Sequence, residues 1–251
     1  MDIRGHIRNE IKSNLSKIPA GCFMMGSELS KDEMPIYEIY LDPFFIMRYL
    51  VTNRQYAAFL NENNVVNNFE GSYKFINAFN RHTRIKFNGS TYIVDSGYEN
   101  HPVISVNWHG ADEFAKWLNC RLPTEAEWEK AARGGIDEKL YWWGNTPPKP
   151  YSGNYGEIIG DTTPIGQFSA NNFGLYDIEG NVSEWCFDWY DKDYYKKSPM
   201  NNPKGPEAGS EKVFRGGNWS YSSNMARVAK RNKFWFMIGK TKLGFRVVFD
   251  N

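Results

Sequence analysis

The chain has 251 residues, 41% hydrophobic and 24% charged, a composition that builds a soluble globular core without disulfide or metal staples. Its net charge of +1 excludes broad electrostatic attraction to nucleic acid or membrane surfaces, and no stretch approaches the roughly eighteen apolar residues of a membrane-spanning helix. Aromatics are the outlier at 16%, with nine Trp, fifteen Tyr and seventeen Phe, so a few large rings can fill the core with little regular secondary structure.

Residues 1–17 are polar and read as an N-terminal arm or short helix, without the apolar run of a signal peptide. That makes the cytoplasm the expected location. From Ile18, "IPAGCFMMGSE" reads as a strand and a glycine turn. In "IYEIYLD", Tyr37, Ile39 and Leu41 share one face and Glu38, Tyr40 and Asp42 the other, the period of a half-buried strand. "VTNRQYAAFLNENN" opens a helix, with Thr52 and Gln55 spaced as a capping box and Tyr56, Phe59 and Leu60 on one face. Residues 64–100 form an insertion of mixed character in which "TYIVD" is a plausible strand.

A second helix starts near Asn107, with Trp108, Ala111, Ala115 and Leu118 as its apolar stripe. A third starts at Thr124, capped by Glu127, and stops at Gly134–Gly135. Residues 136–212 lose all periodicity and are dense in Gly, Pro, Asn and Asp among aromatics. They read as coil held by rings, side-chain hydrogen bonds or bound cations. The chain closes with "KLGFRVVF", where Leu243, Phe245, Val247 and Phe249 alternate as a strand expected to pair with an N-terminal one. Without repeat or linker, residues 18–251 read as one domain. Cys22, Cys120 and Cys186 are widely spaced and lack any CxxC pattern, so all three are expected to be buried small hydrophobes.

The phrases "IPAGCFMMGS", "VTNRQYAAFL", "RLPTEAEWEKAARGG", "NNFGLYDIEGNVSEWCFDWY", "VFRGGNW" and "LGFRVV", in this order, resemble the sulfatase-modifying-factor family, whose prototype is the formylglycine-generating enzyme. The resemblance runs from about Ile18 to Phe249. It implies an α+β variant of the C-type lectin fold, with few helices, short mixed or antiparallel sheets and much irregular coil. The family's settings are copper-dependent oxidation of a cysteine, sulfur transfer at non-haem iron, and ligand binding by the variable proteins of diversity-generating retroelements.

The prototype chemistry places two thiols after the glycine pair, because copper(I) is soft and prefers sulfur. Here those positions are Tyr221 and Ala226, so no catalytic residue is carried over and formylglycine generation is not expected. The iron setting uses a histidine set, but His6, His82, His101 and His109 stand nowhere at i, i+3 or i+4. The resemblance also implies structural calcium, a hard ion suited to oxygen ligands. One set would be Asp177 and Glu184 with the carbonyls of Gly180 and Val182. A second would be Asn154 and Glu157 with the carbonyls of Tyr155 and Ile159.

The stretch 219–242 remains. Its Trp219, Tyr221, Ser222, Asn224, Arg227, Arg231, Phe234, Trp235 and Phe236 mix rings with small polar and basic groups, as adaptable binding surfaces do. An extended "KFWFM" turns only alternate side chains inward, so at least one ring should be exposed. Trp, Lys and Met in this stretch are outside the repertoire of asparagine-derived randomised codons, which favours a fixed relative over a diversified one. The expected function is binding of a protein or small-molecule ligand through 219–242. The alternatives are a copper or non-haem iron oxidase or oxygenase of the same family, and an accessory subunit of a neighbouring enzyme or defence system.

Overall fold

The computed structural model describes residues 2–65, 74–146, 149, 153–222 and 225–250. Among them lie four α-helices and eleven short strands. Helix α1 (Ile3–Lys12) is capped by Asp2, whose side chain accepts from the Gly5 amide. It buries Ile7 and Ile11 in the main core, so the N-terminal segment is a packed part of the domain and not an arm. Strands β1 (Leu15–Ile18) and β4 (Phe44–Met47) pair antiparallel. Between them β2 (Gly21–Met25) and β3 (Tyr37–Leu41) form a separate hairpin.

Helix α2 (Asn53–Glu62) carries the complete capping box of Thr52 and Gln55. Strands β5 (Ile85–Phe87) and β6 (Tyr92–Val94) form a small hairpin in the insertion. Its residues 66–73 lie outside the described residues. Helix α3 (Trp108–Trp117) buries Trp108, Ala111 and Ala115, with Leu118 as its C-cap. Helix α4 (Glu125–Arg133) has the Thr124–Glu127 capping box and ends at Gly134 in the left-handed region (φ 63°), where glycine avoids a Cβ clash.

Strand β7 (Ser183–Trp189) is central in a sheet of order β10–β7–β8–β9, with β8 at Glu211–Arg215, β9 at Asn232–Trp235 and β10 at Leu243–Gly244. The closing "KLGFRVVF" is two strands, not one. β10 runs parallel to β7, and β11 (Val248–Phe249) joins β4, with Val248 opposite Ile46. The expected pairing with an N-terminal strand is therefore made by its second half. Residues 136–182 contain no strand or helix among the described residues.

Two large clusters make the core. One packs α1–α3 against Trp185, Phe214 and Phe245, and the other packs α4 and β2–β4 around Trp128. Buried indoles are anchored by hydrogen bonds: Trp185 Nε1 donates to the Val106 carbonyl at 2.9 Å and Trp108 Nε1 to that of Cys186 at 2.8 Å. Helix α4 is buried on every side, charges included. Glu125 and Glu129 are met there by Arg215, Arg231 and Arg133, and the guanidinium groups of Arg133 and Arg215 hold the Glu129 carboxyl below its usual range against its burial. Lys212 on β8 is also buried, its Nζ 3.9 Å from the Trp108 ring centre, 4.0 Å from that of Trp189, and 2.7 Å from the Phe187 carbonyl that accepts its hydrogen bond. Of the cysteines only Cys186 is fully buried; Cys120 is half-buried and Cys22 exposed, because Cys22 falls on the solvent face of β2. No helix among the described residues is long and apolar enough to cross a membrane.

Candidate functional site

The site is organised by the end of β8. Gly216 takes φ 78°, and a Cβ there would stand 2.9 Å from the Ile178 carbonyl oxygen, so only glycine lets the loop 177–182 press against this turn. Asn218 fixes the next residues: its Oδ1 accepts from the Ser220 amide at 3.1 Å and its Nδ2 donates to Ser183 Oγ at 3.1 Å. The carbonyls of Trp219 and Tyr221 then accept from the amides of Glu157 and Gly156, each at 2.8 Å. These bonds lay Gly156 and Glu157 against Tyr221, the first of the two positions where the family resemblance implies thiols; the second is Ala226. Tyr221 is half-buried, and Ala226 is fully buried. A phenol and a methyl group offer copper(I) no soft ligand, so a copper thiolate centre does not fit these residues.

The C-terminal segment divides into clamps and one exposed tip. Arg227 forks Glu33 at 2.7 and 2.8 Å. Arg231 forks Glu125, at 2.8 Å through each nitrogen, and donates to the Asp32 carbonyl. Both arginines were expected on a binding surface; both instead compensate buried carboxylates, and Arg231 is 3% exposed. Trp219 is buried as well, its ring beneath the Lys242 ammonium at 4.2 Å. It forms the floor of a cavity of about 780 Å³ lined by Arg81, His82, Glu157 and Lys242. Ser222 is exposed, and Asn224 lies outside the described residues.

Strand β9 is the edge of its sheet. Phe234 and Phe236 turn toward the core, Phe236 meeting Trp189 edge-on with ring centres 5.1 Å apart. Trp235 points outward and is 53% exposed, followed by Met237 at 50% and Ile238 at 43%. These three side chains make an apolar tip, and of them sequence reasoning passed over Ile238.

The first calcium set does not assemble as the resemblance implies. Both Glu184 oxygens face Arg246, and Oε2 also accepts from Trp128 Nε1 at 3.0 Å. An ion would have to displace a guanidinium already satisfying that carboxylate. Asp177 sits in the left-handed region (φ 56°), its Oδ2 accepting from the Gly166 amide at 2.8 Å. Its Oδ1 has no partner among the described residues, and burial pushes its pKa up to about 6. Gly180 and Val182 belong to the same buried loop, tied down by the Asn181 amide donating to the Asn154 carbonyl. In the second set Asn154 and Tyr155 are buried, and Asn154 Oδ1 has no partner among the described residues. Glu157 and Ile159 are exposed, with Lys242 Nζ 3.9 Å from the Glu157 carboxylate.

The histidines are dispersed. The His101 Nδ1 lies 2.9 Å from Thr162 Oγ1, His82 Nε2 accepts from Arg81 Nε, and His109 packs edge-on against Phe236. Among the described residues no three His, Cys, Asp or Glu side chains are grouped to hold a metal.

Among the described residues, four helices, short mixed sheets and much irregular coil define an α+β, C-type-lectin-like domain. Residues 6–251 match the sulfatase-modifying factor enzyme 1-like domain, and the chain belongs to that family. It is 36% identical to a formylglycine-generating enzyme of Thermomonospora curvata, covering 99% of this chain and 97% of the relative. It is 39% identical to a serine/threonine-protein kinase pkn1 of Chlamydia caviae over 86% of this chain, which spans only 34% of that protein. Among solved structures, PvdO from Pseudomonas aeruginosa aligns with a TM-score of 0.77 at 26% identity, over 94% of each chain. Treponema denticola variable protein 1 aligns with a TM-score of 0.74 at 25% identity, over 94% of this chain and 95% of that one.

Proposed function

We propose that this chain is a non-formylglycine-generating member of its family that binds a protein or small-molecule ligand through its C-terminal surface. One observation carries the reading: Trp235, at the end of the edge strand β9, and Met237 and Ile238, in the turn that follows, are exposed while Phe234 and Phe236 pack against the core. Large apolar side chains grouped on a rigid support are what hot spots are made of. Tyr221 and Ala226, standing where thiols are implied, favour recognition over the formylglycine generation named for the Thermomonospora relative. Structural calcium, cytoplasmic residence and the absence of nucleic-acid and membrane partners belong to the same proposal. Three unpaired cysteines agree with a reducing compartment.

Peptide-display selection against the purified protein tests this. Selected peptides should protect residues 232–238 from hydrogen exchange and bind a Trp235→Ser, Met237→Ser, Ile238→Ser variant at least tenfold more weakly. Peptides that settle elsewhere and ignore the triple variant would sink it.

The polar cavity on Trp219 favours a second reading, a metal-dependent oxidase or oxygenase acting there. Elemental analysis separates the two, because stoichiometric copper or iron would overturn the binding assignment.

A further inference from the structure

Arg81 of the insertion, Glu157 of the coil and Lys242 just before β10 bring their charges to one place, the cavity over Trp219. Its volume of about 780 Å³ falls within the roughly 300–1,000 Å³ of small-molecule sites. Two cations there face one carboxylate, and neither cation has its hydrogen bonds filled. Lys242 Nζ stands 3.9 Å from the Glu157 carboxylate, beyond hydrogen-bond range, and meets no other acceptor among the described residues. Arg81 donates only through Nε, to His82 Nε2 at 3.0 Å, which leaves both terminal nitrogens without an acceptor among the described residues.

The floor supplies a further unmet donor. Trp219 is 7% exposed, and its Nε1 has no hydrogen-bond partner among the described residues. The buried indoles of Trp108, Trp128 and Trp185, by contrast, donate to oxygens at 2.8, 3.0 and 2.9 Å. A buried donor left unmet loses its hydration without replacement. The Lys242 ammonium lies over the Trp219 ring, 4.2 Å from its centre, and the His82 ring flanks it with centres 6.4 Å apart. Water can meet the indole hydrogen but brings no charge to the two cations. An oxyanion accepts from N–H groups on several sides and neutralises their charge as well.

We propose that this cavity binds a small-molecule ligand through an oxyanion, a phosphate or a carboxylate, held between the Lys242 ammonium and the Arg81 guanidinium with Trp219 Nε1 as third donor. The flexible stem of Lys242 lifts from the indole to admit the anion, so one movement uncovers the N–H and supplies the charge. Glu157 repels the ligand and limits its affinity. This names the ligand chemistry for the Trp219 end of the C-terminal surface. It rests on the reading that this surface binds a ligand, and not on the apolar tip at Trp235.

The test titrates sodium phosphate and sodium acetate into the nitrogen-15-labelled full chain, with sodium chloride holding the ionic strength constant. The indole N–H resonances are the readout, and Trp219→Phe identifies the one that belongs to residue 219. That resonance should move and saturate with phosphate or acetate and stay in place with chloride alone. The anion that saturates it at the lower concentration tells phosphate from carboxylate recognition. Lys242→Gln and Arg81→Gln should each weaken binding about tenfold. Glu157→Gln should tighten it about twofold, a gain that lost packing would not produce. The Trp235→Ser, Met237→Ser, Ile238→Ser variant should bind the anion unchanged, so a failure of the tip leaves this site standing. A Trp219 resonance that ignores both anions, or that saturates equally well in Lys242→Gln, would overturn the site whatever the tip does.

Discussion

Arg246 and Glu184 meet as a parallel fork, Nε 2.6 Å from Oε2 and Nη2 2.8 Å from Oε1, with both side chains fully buried. The remaining guanidinium hydrogens go to the carbonyls of Met47, Arg48 and Tyr176. The pair thus ties β7 to the chain reversal before α2 and to the coil before Asp177. Glu184→Ala leaves a buried guanidinium short of its counter-charge and should cost about 3–5 kcal/mol. Urea unfolding measures this, and a change below about 1 kcal/mol would contradict the assignment.

Trp235 should be nearly silent in stability. Its ring is outside the core, so Trp235→Ser should shift unfolding by no more than about 0.5 kcal/mol. Phe245→Ala, which empties a site touching Tyr56 and Phe114, should cost about 3–5 kcal/mol. Thermal melts of the two variants side by side show whether the tip is separable from the core.

Lys212 gives the protein an alkaline signature. Burial lowers its pKa from 10.5 to about 8, against partial support from Asp188 and Asp112. Between those values the unfolded chain holds the proton and the folded chain does not, so stability rises with pH across that window. Below pH 8 the cost of the buried ammonium is fully present. Lys212→Met keeps the cage filled and should flatten the rise, which denaturant melts between pH 7 and 10.5 would reveal.

The three thiols should react in a fixed order. Cys22 is exposed and should label with maleimide within minutes at pH 7.5. Burial pushes Cys120 up to about 12, which starves it of thiolate. Cys186, enclosed in the second core cluster, should label only on unfolding. Mass spectrometry of a timed labelling series checks the order.

Local chemistry was readable wherever it follows from a few adjacent residues. The boxes at Thr52 and Thr124 are complete in four residues each, and the stripe of α3 repeats on one turn. What depends on distant partners was not readable. Arg227 and Arg231 look like surface cations because the carboxylates that bury them, Glu33 and Glu125, lie 194 and 106 residues away. The "IEG" in which Glu179 sits carries no sign that its side chain turns inward. The positions where the resemblance implies thiols are counted from a glycine pair and depend on no distant partner. The signal for Met237 and Ile238 was present as well: a strand ending at an edge, followed by apolar residues with no period to hide them.

The ion pairs of helix α4 have a consequence for change over time. Arg215 and Arg231 anchor the two ends of the stretch 216–230 to the same glutamate, Glu125, at 3.2 and 2.8 Å. An exposed residue between those anchors, such as Ser222, can be exchanged while the ends stay registered, because the closure is made by the helix. A lineage could change what this stretch presents to solvent and still inherit a folded protein.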